Sequence, residues 1–269
     1  AERAVLTTES YRMHADKPVV LKRAYMLRNI LEHMTIYIEP QTLLAGNQAS
    51  ANRAAPIFPE YAMDWVMEEL DRFEKRDGDV FYITEETKEK LRELAPYWEH
   101  NTTKDRGLAA MPESSRIFYD LGIIKAEGNI TSGDAHLAVE YEKVMRLGLK
   151  DYERRTREAM ERLELTEAEN LKKFYFYQAI LIVIEAVRNF ASRYSELALA
   201  QAAGLEKGEP DEMRRAAELR EMARILSKVP YEPAESFAEA LQSMWLIHLV
   251  LQIESNGHSL SYGRMDQYL

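Results

Sequence analysis

The chain has 269 residues, of which 46% are hydrophobic and 30% charged, a balance that excludes a disordered, solvent-swollen polymer. Lys and Arg number 35 against 45 Asp and Glu, a net charge of −10. That balance argues against a general nucleic-acid binder, which needs a basic face. Cysteine is absent, so the chain can form no disulfide, thiolate metal site or cysteine nucleophile of its own. A reducing compartment is compatible with this, and a cytoplasmic setting is expected. The length fits one large domain or two small ones and suffices for a sizeable core.

Residues 1–3 lead directly into a charged, helix-like stretch, without the basic and apolar regions of a signal peptide. The absence of an initiator Met points to a start within a longer protein. Val19 to Met34 places Val20, Ala24, Leu27, Ile30 and Leu31 at amphipathic-helix spacing. Residues 36–44 read as an extended segment and turn, with Pro40 inside and Gly46 beyond. Tyr61 to Lys75 reads as one helix, stopped by Asp77-Gly78-Asp79. Thr84 is the expected N-cap of a helix reaching Leu94, with Glu85 and Glu86 in its first turn. A short helix is expected from Pro112 through Tyr119, and a loop over 122–133.

The second half is more strongly helical. One helix is predicted from about Glu140 to Leu163. Thr166 and Glu169 fit a capping box for a long helix over 167–203 that ends at Gly204. After a polar connector, Asp211 to Lys228 and Ser236 to Ile253 read as helices. Two apolar runs, 179–184 and 240–253, are interrupted or flanked by polar residues, including Gln242, His248 and Gln252. Spanning a bilayer needs about 20 mostly apolar residues, so both runs read as core helices and no membrane partner is expected. The closing residues, Asp266 to Leu269, carry no stop signal and read as a cut in mid-fold.

The six histidines form no helical zinc motif. His14, His33 and His100 read as surface or boundary residues, and His248 as a hydrogen-bonded core histidine. Gly46 to Ser50 lacks the spacing of a phosphate loop, and Phe174 to Tyr177 reads as packing. His136 and His258 differ. Each sits among small and polar residues, in Thr131-Ser132-Gly133-Asp134-Ala135-His136 and Glu254-Ser255-Asn256-Gly257-His258-Ser259. Loops on a helical scaffold are where functional groups concentrate, and two such segments could supply polar groups to one small-ligand pocket. An ordinary hydrogen-bonded turn is an equal reading of each.

Five segments resemble the glycyl radical enzyme superfamily, whose prototype is pyruvate formate-lyase: Glu2–Ser10, Leu43–Gln48, Arg53–Glu60, Ile253–Ser261 and Gly263–Tyr268. The last two carry the most specific match, and its nearest branch is the B12-independent glycerol and diol dehydratases. The resemblance implies that this mainly α chain, 1–269, is the N-terminal helical part of a ten-stranded α/β barrel. It also implies a catalytic cysteine loop and a C-terminal radical glycine elsewhere in the protein, so this segment alone would be inactive. It would expose an apolar face where the barrel belongs. The glycyl radical would be installed by an activating enzyme using S-adenosylmethionine and an iron–sulfur cluster. The whole protein would be a homodimer acting on a small polar substrate.

In the dehydratase branch a histidine on a Gly-x-Gly-His-like loop contacts a substrate hydroxyl. That role falls on His136, although Asp134-Ala135 departs from the pattern. The serine after the Asn-Gly-His triplet also contacts substrate, which falls on Ser259, with His258 its neighbour. The hydroxyproline dehydratase branch has a Trp-Asp-containing segment where this chain has Asn256-Gly257-His258, and is disfavoured. Gly128–His136 also resembles members assigned as formate acetyltransferases. Acyltransferase and C–N or C–S lyase activities are therefore the alternatives, together with a non-catalytic helical interaction module.

Overall fold

In the computed structural model the described residues are 1–124, 129–133, 135–205, 208–257 and 259–269, with Asn129 as backbone only. His258 therefore lies outside them, as do Gly128 and Asp134 of the loop before His136. Among the described residues the chain runs α1 (Glu2–Met13), α2 (Val19–His33), α3 (Asp64–Glu69), a 3-10 turn (Phe73–Lys75), α4 (Glu85–Trp98), α5 (Thr103–Ala109), α6 (Glu113–Asp120), α7 (Asn129–Ser132) and β1 (Leu137–Ala138). Then follow α8 (Tyr141–Glu161), α9 (Ala168–Leu205), α10 (Pro210–Leu226), α11 (Phe237–Glu254), β2 (Leu260–Ser261) and α12 (Met265–Tyr268). The chain is mainly α, and the described sheet is the parallel pair β1–β2.

The main core lies where α9 runs between α2 and α10. At 1.5 Å rise per residue its 38 residues extend about 57 Å. Phe190 and Tyr194 on α9 are fully buried with Met26, Ile30 and Leu31 of α2, Leu219 of α10 and Leu246 of α11. Ala186, Ala191, Ala198 and Ala202 let the neighbouring backbones come close, and the Ser195 hydroxyl donates to the Ala223 carbonyl at 2.8 Å. A second cluster joins α1, α3 and α4 through Ala4, Val66, Leu70, Leu91 and Trp98. There Trp98 Nε1 donates to Thr8 Oγ1 at 2.9 Å, so a large buried indole keeps a partner.

By length and composition α9 could cross a membrane, yet it is a core helix of this fold. Its apolar run 179–184 is only partly buried. Together with α2, α8 and α11 it lines a largely apolar cleft of about 600 Å³.

Several elements depart from the sequence reading. The helix expected over 61–75 is α3 plus the separate 3-10 turn. The helix from Thr84 passes Leu94 and reaches Trp98 with Pro96 inside it. The Thr84 cap is present, its hydroxyl accepting from Thr87 N at 3.2 Å. The Thr166–Glu169 capping box is replaced: α9 begins only at Ala168, and the Asn170 side chain instead donates to Glu167 Oε2 and the Glu164 carbonyl. That helix runs through Gly204 to Leu205. Within the loop expected over 122–133 lies the short helix α7.

The helix expected over 140–163 is interrupted at Gly148, where φ is 69°. The cause is tertiary. Leu149 N donates to Pro230 O and Lys150 N to Tyr231 O, while Ala234 N donates to Met145 O. The 230–234 segment thus takes over hydrogen bonds that a continuous α8 would make within itself.

The 36–48 segment is extended, as its composition indicates. Gln242, buried on α11, accepts from Ala45 N and donates to Ala45 O, both at 2.9 Å. Buried Asn47 accepts from Tyr37 N and donates to the Thr35 and Ala49 carbonyls. The Gly46–Ser50 stretch is therefore a tied-down structural turn.

Candidate functional site

The loops that end in His136 and Ser259 meet through the parallel pair. Leu137 pairs with Leu260 and Ala138 with Ser261. His136 and Ser259 each precede a paired residue by one, so they share the N-terminal end of this pair. Both residues are exposed on the surface of the chain. Thr131 and Ser132 of the first loop and Asn256 of the second line one cleft of about 960 Å³, whose walls also include Phe58, Trp65 and Phe81. The lining of that cleft is supplied by the earlier parts of the two loops rather than by His136 or Ser259.

The second loop leaves the C-terminal end of α11, and a nearly dry ion pair fixes that end. Arg3 and Glu60 have side chains only 4% and 2% exposed. Arg3 Nη2 and Nη1 donate to the two Glu60 carboxylate oxygens at 2.6 and 3.1 Å. The same guanidinium donates from Nε to Ile253 O at 2.8 Å and from Nη2 to Glu254 O at 3.3 Å. These carbonyls belong to the last turn of α11, where no helical N–H remains to satisfy them and a cation suits the helix dipole. Bidentate geometry and the extra carbonyl bonds offset the desolvation of the pair. The Phe58 ring lies 3.7 Å below the guanidinium carbon.

A second arginine links both loops. Arg23 on α2 donates from Nε to Glu254 Oε1 at 3.1 Å, makes a further short contact to it from Nη2, and donates from Nη2 to the Tyr61 hydroxyl at 2.9 Å. The Tyr61 ring supports Gly133 of the first loop. A Cβ at Gly133 would lie 2.2 Å from Tyr61 Cε2, and the residue has φ 68°, so glycine alone fits without displacement. Burial pushes the Tyr61 phenol up, and Arg23 pulls the other way, leaving the hydroxyl protonated at neutral pH.

Gln252 holds the second loop from the helix side. Its Nε2 donates to Gly257 O at 3.1 Å. A Cβ on Gly257 would fall 1.6 Å from Gln252 Oε1, so the loop closes onto the glutamine only through a residue without a side chain.

Sequence reasoning identified the two loops but passed over these supports. Arg3, Glu60 and Glu254 lie inside the family-like segments without an assigned role. Arg23 and Tyr61 carried no signal, because their partners are remote in the chain. Gln252 was visible only as a polar interruption of an apolar run.

A family profile described as pyruvate formate lyase-like matches residues 1–269. The chain is 44% identical over 268 residues to the probable dehydratase YbiW of Escherichia coli (strain K12), covering 100% of this chain and 32% of that protein. Among solved structures, the glycerol-bound form of the B12-independent glycerol dehydratase from Clostridium butyricum matches with a TM-score of 0.94 and 37% identity, over 99% of this chain and 33% of that one. A glycyl radical enzyme from Archaeoglobus fulgidus matches with a TM-score of 0.90 and 34% identity, over 99% of this chain and 34% of that one. The chain thus spans about a third of the length of the proteins it matches. It belongs to the pyruvate formate lyase-like family.

Proposed function

We propose that residues 1–269 are the N-terminal, substrate-holding portion of a glycyl radical dehydratase acting on a small diol such as glycerol or propane-1,2-diol. The observation that carries this reading is the β1–β2 register, which brings His136 and Ser259 to one end of one strand pair. The family membership and the similarity to a glycerol dehydratase support it. In this reading the complete protein is a cytoplasmic homodimer that works anaerobically, and its partner is a radical S-adenosylmethionine activase.

The glycyl radical, once installed, supplies the hydrogen-abstracting chemistry. This chain has no cysteine to relay it, and its residues fit a different task. Dehydration of a diol requires the hydrogen on one carbon and the hydroxyl on the next to be held in one orientation. A serine hydroxyl both donates and accepts, and an imidazole does so in its neutral form. His136 and Ser259 fix the two hydroxyls of the diol, and His258 adds a further polar group beside Ser259. Such orientation supplies a large share of rate enhancement when the reacting geometry is held closely. His136 in its protonated form can also give a proton to the departing hydroxyl.

The test uses the full-length protein, activated anaerobically with its activase. It is offered glycerol, propane-1,2-diol, choline, and pyruvate with coenzyme A, and products are followed by mass spectrometry. An aldehyde from a diol is expected, reduced about 10²-fold or more in His136→Ala if that residue serves as proton donor. About tenfold is expected in Ser259→Ala, the loss of one well-placed hydrogen bond. A radical-bearing enzyme that turns over choline or pyruvate but no diol would reject the substrate class.

A further inference from the structure

His248 lies on α11, one turn before Gln252, and faces away from the two loops' exposed ends. Its surroundings specify its protonation. The Gly257 carbonyl can only accept, so the Gln252 amide nitrogen must face it. The same nitrogen lies 3.2 Å from His248 Nε2. Its second hydrogen therefore points at an imidazole nitrogen that must accept. The ring proton is then on Nδ1, which lies 2.9 Å from the Tyr141 hydroxyl and donates to it. Stacking fixes the ring plane: the Tyr262 ring is 4.5 Å away at 19° and the Trp245 ring 6.2 Å away at 13°.

From this chain of contacts we infer that His248 is a positioning residue, which, as a neutral Nδ1–H imidazole, orients the Gln252 amide so that it holds the Gly257 carbonyl and sets the backbone leading to Ser259. This rests on the reading of Ser259 as a substrate ligand. Tyr141, at the start of α8, follows β1 by two residues, and Tyr262 directly follows β2. The imidazole thus bonds to or stacks on the exits of both strands, while its glutamine partner holds the entrance to the second. Burial lowers the basicity of His248, in keeping with the neutral form the geometry requires.

The experiment uses the activated full-length protein and three variants. His248→Phe keeps a stacking ring and removes the acceptor, and Gln252→Glu removes both donated hydrogen bonds. His248→Gln retains an amide oxygen able to accept from Gln252. Two quantities are read: amide hydrogen exchange of peptides covering residues 254–262, and kcat and KM for the diol separately. His248→Phe and Gln252→Glu are expected to speed exchange in that peptide about tenfold, the loss of one hydrogen bond. KM should rise by a similar factor, with exchange in α9 and α10 unchanged and His248→Gln restoring most of both readings. Unaltered exchange over 254–262 in His248→Phe would overturn the inference, as would an equal rise over the whole chain. Faster local exchange together with normal turnover by Ser259→Ala would uphold the positioning role and reject Ser259 as a substrate ligand.

Discussion

The α2–α9–α10 core and the end of the molecule that carries the two loops are built on different physics. In the core, Phe190, Leu219, Leu246 and their neighbours exclude water by area and shape. Many apolar side chains share that task, and a volume-conserving exchange there is tolerated. The loop end is held by single polar groups: Arg3 on two carbonyls of α11, Arg23 between Glu254 and Tyr61, and Gln252 on Gly257. Each of these bonds has one donor and one acceptor that no neighbour duplicates. Damage to the core should therefore spread over the fold, whereas damage to a loop support should stay local and appear in substrate handling.

The sharpest contrast comes from pairing Phe190→Ala with Arg3→Met. Both are expected to cost about 3–5 kcal/mol, the first by leaving a cavity and the second by leaving Glu60 buried without its partner. Denaturant unfolding of the full-length protein measures the cost. Hydrogen exchange separates the mechanisms, with protection lost across α2, α9 and α10 in the first and concentrated at 253–261 in the second. If Arg3→Met loosens the core as much as the loop, the two regions are not independent.

A smaller effect tests the loop supports through pH. Burial holds His248 below the ordinary imidazole value of about 6.5, so the unfolded or locally opened chain takes up a proton first. In the window from about 6.5 down to that lowered value the open state binds more protons, and closure weakens as pH falls. The groups packed on the ring are Tyr141, Tyr262, Trp245 and Gln252. Burial pushes both tyrosines up, so neither supplies a negative charge to stabilise an imidazolium. Exchange over 254–262, corrected for the intrinsic pH dependence of amides, should rise below about pH 6.5, and His248→Gln should abolish that rise. A pH-independent wild type would remove the histidine from the account.

The smallest effects lie far from both regions. Thr84→Ala removes the cap of α4 and should cost about 1 kcal/mol. Lys172→Ala breaks an exposed pair with Glu169, both partners 75% exposed, and should leave thermal stability and diol kinetics unchanged.

The same division explains what could be read in the sequence. Core helices announce themselves by periodicity and caps, as with Leu21, Ala24 and Leu27 on α2 or Ser236 before α11. Where the determinant is tertiary, the reading fails. Gly148 looks harmless within a helical pattern until residues 230–234 come against it. Helix α5 has no buried face to generate a period, and only its Thr102–Asp105 capping box marks it. The loops of His136 and Ser259 stood out by their small and polar residues. Their meeting did not, because two-residue strands are too short to leave an alternating pattern. The support from Arg3 reaches across 250 residues to Ile253, a pairing no local signal encodes.

The most direct test of the central claim is a crystal structure of the full-length protein with glycerol bound. The account predicts His136 and Ser259 both within hydrogen-bond distance of hydroxyls on one glycerol molecule, with the β1–β2 register of Leu137 and Leu260 intact. Glycerol held by other residues, with His136 and Ser259 apart and turned from it, would contradict it.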